Sequence, residues 1–173
     1  PASAYWIGCQ LLLHFTKQAD GREEKSRLYD YLMEKYELNC PEDILKLVIT
    51  EWQGKRDKIA GLARDVGELA KQDDPNALRI FECAAEELAL IVKGIVHQGV
   101  FDFPVNISYS GGVFKSMEYL RTALETALGD IPHKLLTPQL LPVAGGILLA
   151  SGKIGEKVSE EMAVNLRIAQ NIV

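Results

Sequence analysis

Cysteine is scarce in this chain of 173 residues, and Cys9, Cys40 and Cys83 stand far apart and odd in number. That excludes a disulfide framework, and without a CxxC pair it excludes a cysteine-built zinc site. The thiols read as small buried hydrophobes in a reducing cytoplasm. Histidine is as sparse: His14, His97 and His133 are scattered, with no HExxH pair, so no metal site is expected. No GxSxG elbow marks a nucleophile, and no catalytic residue is assigned. Blocks of Lys and Arg are also missing. With a net charge of -5, the chain has no basic footprint for nucleic acid. No apolar run approaches the ~18 residues of a membrane span. The richest stretch, Leu140 to Ala150, is short and holds Pro142, Gly145 and Gly146. The chain opens Pro1-Ala2-Ser3, without Met or a basic leader, so no signal peptide is expected.

What is present divides unevenly. Residues 1–99 hold 30 of the 43 Lys, Arg, Asp and Glu residues, and they read as amphipathic helices. Ile7, Leu11, Leu12 and Phe15 form a helical stripe ending at Ala19-Asp20-Gly21. A second helix starts near Ser26 and buries Leu28, Tyr31 and Leu32. Pro41-Glu42-Asp43 suits a helix first turn, leading to Ile44, Leu47, Val48 and Trp52. After Gly54 one helix carries Ile59 through Ala70. Asp73-Asp74-Pro75 restarts the chain into a long helix with Leu78, Phe81, Ala85, Leu88, Val92 and Ile95 on one side.

The period then changes. Val105 to Ser110 alternates apolar and polar, with β-branched residues at 105 and 107, and predicts a strand. Gly111-Gly112 follows, then a helix with Phe114, Met117, Leu120, Leu124 and Leu128. Gly129-Asp130 stops it. Lys134 to Thr137 predicts a second strand, Pro142 opens an apolar helix, and 156–173 reads as a last helix. The fold class is α/β and helix-dominated with few parallel strands. The chain reads as one domain, 1–173, with a helical part 4–98, a strand–glycine turn–helix part 104–152 and a C-terminal helix.

Ser110-Gly111-Gly112-Val113-Phe114-Lys115-Ser116 lies between strand and helix. Glycine lets the backbone turn sharply and approach a ligand, and ligands of open α/β sheets sit at the carboxyl ends of strands. A tight turn alone would also use Gly-Gly here, and the segment is neither a GxxxxGK[ST] loop nor a GxGxxG fingerprint. Pro142-Val143-Ala144-Gly145-Gly146 places two glycines inside a helix, each costing about 1 kcal/mol relative to Ala. A ligand or backbone approaching closely, or helix-on-sheet packing, would account for them. Lys55, Arg56 and Lys58 form a small basic cluster at a helix start, either solvated or turned toward a ligand.

Three segments resemble the BadF/BadG/BcrA/BcrD ATPase family, which includes N-acetylglucosamine kinases. Ser3 to Gly8 is similar to its GDEGSAYWIG segment, Gly111 to Ser116 to its adenosine motif, and Pro142 to Gly146 to its P-x-x-G-A element. The resemblance covers residues 3–152. It implies the C-terminal lobe of a ribonuclease H-like, actin-like ATPase fold with a helical insert. It implies that Gly111, Gly112, Val113 and Ser116 border adenosine, with Gly145 and Gly146 nearby and Ser3 at the substrate cleft. In the complete enzyme it implies ATP with Mg and an amino sugar acceptor such as N-acetylglucosamine. The family's phosphate motifs and catalytic aspartate belong to a first lobe that has no match in these residues. The Asp-Glu-Gly before Ser3 is absent, and Gly146 replaces the usual Ala. The resemblance therefore leads to an adenosine-binding lobe, inactive alone, whose partner is a missing N-terminal lobe or another copy of the chain. Two alternatives stand beside it. One is an ATPase activator of a 2-hydroxyacyl-CoA dehydratase, which would need cysteines at an iron–sulfur cluster. The other is a non-catalytic helical binding module.

Overall fold

The computed structural model describes residues 1–170. Its contacts gather into two compact units, Pro1–Phe101 with Gly112–Asp130, and Asp102–Gly111 with the segment from Ile131 onward.

The first unit is helical and built around α1 (Ala4–Ala19). Ser3 caps α1, its hydroxyl accepting from the Trp6 amide at 3.2 Å. Ile7, Leu11 and Phe15 are fully buried on one face, and burying each such side chain stabilises by roughly 1.5–3 kcal/mol. Helix α2 (Arg27–Lys35) starts at Ser26 and buries Leu28, Tyr29 and Leu32. Tyr29, not the expected Tyr31, enters the core and stacks on Phe15, ring centroids 5.3 Å apart. Helix α3 (Asp43–Lys46) runs into a π-helical turn, Leu47–Glu51, where Ile44 is buried and Ile49 exposed. The single helix expected after Gly54 is two, α4 (Arg56–Gly61) and α5 (Ala63–Ala70), jointed at the buried Leu62.

Helix α6 (Pro75–Gln98) begins as its sequence requires. Asp74 is 2% exposed, and one carboxylate oxygen accepts from the Asn76 and Ala77 amides. The other accepts from the Leu28 amide at 3.0 Å, tying the start of α2 to that of α6. The buried face of α6 is turned from expectation. Ala77, Ile80, Phe81, Ala84, Ala85 and Ala89 are buried, while Ile95 is exposed. Alanines permit the close approach of α1, α5 and α7 (Met117–Leu128). Leu120, Leu124 and Leu128 of α7 are buried as expected. A 3-10 turn, Gly112–Ser116, comes before α7 where a continuous helix was expected.

A buried carboxylate joins α2 to α5. Asp65 accepts from the hydroxyls of Tyr36 at 2.7 Å and Tyr31 at 3.3 Å, and pairs with the Lys35 ammonium. Burial, then the hydrogen bond to Asp65 and its charge, raises the Tyr36 phenol. Burial raises Tyr31 in the same direction. Burial pulls the Lys35 ammonium down, but its bonds to Asp65 and Tyr31 outweigh that and raise it. All three groups hold their protons longer folded than unfolded, so their contribution is complete below the unfolded values near pH 10 and is lost as pH rises further. Urea midpoints should fall between about pH 9.5 and 11. Tyr36→Phe should flatten that fall, and an unchanged slope would refute the assignment.

The second unit holds a two-stranded parallel sheet, β1 (Val105–Ser108) beside β2 (His133–Leu136), in register Val105 to His133. Parallel pairing needs a long connection, and here it runs through the 3-10 turn and α7. Odd-numbered positions are half-buried and even-numbered ones exposed in both strands. Helix α8 (Pro142–Lys153) contacts α9 (Glu160–Gln170). The expected helix 156–173 thus forms from Glu160, and residues 171–173 lie outside the described residues. Among the described residues no helix is long and apolar enough to cross a membrane.

Two smaller expectations change. Cys40 is exposed because it sits in the loop before α3, while Cys9 and Cys83 are half-buried and all three are free. His133, expected from its place after Pro132 to be a solvated loop residue, instead opens β2, half-buried, with Nδ1 2.8 Å from the Ile131 carbonyl.

Candidate functional site

Within the first unit, a cavity of about 600 Å³ opens among α1, α4, α5 and the turn into α7, a size suited to a small organic ligand. The glycine turn supplies one wall through Gly112, Val113 and Ser116. Gly112 is exposed, with nothing within 4 Å of where a Cβ would stand, so its main chain is open to a ligand. Ala4 and Ile7 of α1 line the same cavity. Two segments about a hundred residues apart in sequence therefore meet at one site.

The facing wall belongs to α4 and α5. Ala60, Gly61, Ala63 and Gly67 keep it low. A Cβ on Gly67 would meet only the Ser116 Oγ, at 3.6 Å. Arg64, Glu68 and Lys71 follow the same helical face at i, i+4 and i+7. Toward α7 lie Phe81 and Tyr119, stacked with centroids 5.5 Å apart and planes 17° from parallel.

The charges on the lining balance. Arg64, Lys71 and Lys115 face Asp57, Glu68 and Glu118. Glu68 holds the Lys71 ammonium at 2.9 Å and raises its pKa. Burial, then Glu118, raises the Tyr119 phenol. Such a site favours a largely neutral, polar molecule over a polyanion, because no net positive field gathers phosphates. Among the described residues no group of three or more His, Cys, Asp or Glu side chains could hold a metal ion.

The residues singled out from sequence separate. Gly112, Val113 and Ser116 line the cavity. Gly111, at φ +121°, closes the strand segment of the second unit, a conformation that favours glycine. Gly145 and Gly146 are in α8 of the second unit, and among the described residues nothing lies within 4 Å of a Cβ built on either. Ser3 is exposed at the cap of α1. The basic cluster does not supply the wall: Arg56 covers the Tyr5 ring at 4.3 Å, and only Asp57 from that stretch lines the cavity. Arg64, Gly67, Glu68 and Lys71 were missed. Small residues at 60, 61, 63 and 67, interleaved with charge, were their signal.

A sequence model of the BadF/BadG/BcrA/BcrD ATPase family matches residues 1–150. The chain belongs to the BadF/BadG/BcrA/BcrD ATPase family. It is also 30% identical over 119 residues to an N-acetylmuramic acid/N-acetylglucosamine kinase of Clostridium acetobutylicum. That alignment covers 68% of this chain and 39% of the kinase. Within this family member, the cavity carries both the Ser3–Gly8 and the Gly111–Ser116 resemblance, through Ala4, Ile7, Gly112, Val113 and Ser116.

Proposed function

We propose that this chain is the adenosine-holding lobe of an ATP-dependent sugar kinase, with N-acetylglucosamine or a related amino sugar as acceptor. The observation that carries the reading is the cavity of about 600 Å³ whose wall includes the open main chain of Gly112 beside Val113. Its charge-balanced lining suits a nucleoside, and membership of an ATPase family supplies the nucleotide class. The likeness to a kinase of amino sugars suggests the acceptor, over a stretch short of that protein's whole length. The role assigned to this lobe is positioning. Phosphoryl transfer depends on holding the phosphates, metal and acceptor in line, and the residues for that task are placed outside this chain. The ribonuclease H-like character of the lobe and its pairing with an N-terminal lobe, or with another copy of this chain, belong to the same proposal. The dehydratase-activator alternative has less support, since Cys9, Cys40 and Cys83 are not gathered together.

Calorimetric titration of the chain with adenosine, ADP and MgATP tests the reading. Adenosine should bind, and ADP and ATP should match it within about threefold, a difference of roughly 0.6 kcal/mol. Incubation with MgATP and N-acetylglucosamine should release no ADP. Selectivity for ATP beyond tenfold, or turnover by this chain, would overturn the division of labour.

A further inference from the structure

We propose that Arg64 is the specificity-determining residue of this cavity, its guanidinium lying flat on one face of a bound purine ring. The inference rests on the nucleoside reading above and assigns the contact that recognises the base.

The chain has seven arginines. Arg22 pairs with Asp20, Arg79 with Glu82, and Arg121 with Glu125. Arg27 donates to Gln72, Arg167 to Gln139, and Arg56 covers Tyr5. Arg64 alone has no hydrogen bond, ion pair or ring partner among the described residues, and it stands on the cavity wall. Its surroundings explain why a planar ligand suits it. One turn further along α5, Gly67 brings the helix backbone close to the glycine turn, with the Ser116 Oγ 3.6 Å from where a Cβ would stand. Ala60, Ala63 and Val113 add apolar surface to the cavity that Arg64 lines. A flat ring entering the cavity would have aliphatic wall at its edge and the Arg64 guanidinium on the same lining. Guanidinium is weakly hydrated and stacks on π systems, which ammonium does not reproduce. The lysines differ in kind. Lys71 is held by Glu68 at 2.9 Å, and Lys115 is exposed on the turn. A phosphate contact by Arg64 is the competing reading, and the balanced lining gives it no supporting field.

Adenosine titrations of the parent chain, Arg64→Ala, Arg64→Lys and Arg64→Gln, at low and high salt, decide the matter. Because Arg64 is exposed and unpaired, all three variants should melt with the parent. Arg64→Ala should weaken adenosine binding roughly tenfold, within the range of desolvated cation–π contacts. Arg64→Lys should recover less than half of that loss in free energy. Raising the salt tenfold should leave the difference unchanged, because the base is neutral. Equal binding by parent and Arg64→Ala would sink this inference alone. So would full rescue by lysine, or a loss that disappears at high salt, since both mark a charge contact. Should the parent fail to bind adenosine, the nucleoside reading falls and takes this assignment with it. If Arg64→Ala melts early, Arg64→Gln carries the comparison, and parent-like binding by that variant overturns the proposal.

Discussion

Gly8→Ala should destabilise the first unit by about 3 kcal/mol or more, at the upper end of overpacking costs. Gly8 is buried on α1 where α4 crosses. A Cβ there would stand 2.0 Å from the Ile59 carbonyl oxygen and 3.0 Å from its carbon. The obstacle is backbone, so no rotamer change relieves it; the two helices must separate. Alanine's better helix propensity returns only about 1 kcal/mol, so overlap wins. The consequence reaches function, because Ile59 adjoins Ala60 and Gly61 on the cavity wall, and Ile7 beside Gly8 lines the same space. Adenosine affinity should therefore fall together with the urea midpoint. Gly94→Ala is the control. It is a glycine of α6 with nothing within 4 Å of its Cβ position, and there the propensity gain should stabilise by up to about 1 kcal/mol. Similar midpoints for the two variants would refute the close-crossing argument.

Asp65→Ala carries the second large effect, a loss of about 3 kcal/mol. Its carboxylate is 2% exposed and gathers the Tyr31 and Tyr36 hydroxyls and the Lys35 ammonium. The ion pair itself contributes modestly, since the Lys35 side chain is 44% exposed. Most of the cost comes from leaving the Tyr36 hydroxyl half-buried without its acceptor. Asp65→Asn retains an acceptor oxygen and should cost roughly half as much. A double-mutant cycle with Tyr36→Phe should return a coupling of about 1–2 kcal/mol. Zero coupling would mean that the tyrosine does not depend on this carboxylate. The neighbour of Asp65 in sequence is Arg64, which faces the cavity, so the same anchor orients the wall on which the ligand is proposed to lie.

Local signals were legible wherever a residue acts on its own backbone. Ser26, Asp74-Pro75 and Gly129 begin or end helices as their chemistry directs. The alternation from Val105 and the run at Lys134 marked two strands, and they pair in parallel as the α/β pattern led one to expect. Contacts between distant segments were not legible. The α6 stripe predicted from large apolar residues is rotated toward alanines because three other helices approach there. The joint at Leu62 follows Gly61, the last residue of α4, a local break that the apolar stripe running through Ile59 to Ala70 masked. The Gly112 wall could be read from its place after a strand, whereas the Arg64 wall could not, because nothing local ties residue 64 to residue 112.

By itself, then, the amino-acid order determined the helical first part, the strand and glycine turn after it, the absence of a cysteine framework, and the resemblance of three segments to one ATPase family. Those follow from backbone preference, composition and motif, which act over a few residues. Tertiary structure alone decided that Ala4, Arg64 and Gly112 share one cavity, that Gly8 must lack a side chain, and that Asp65 is buried among tyrosines. Each of these is set by helix crossings, and crossings depend on volume and charge meeting across long stretches of chain.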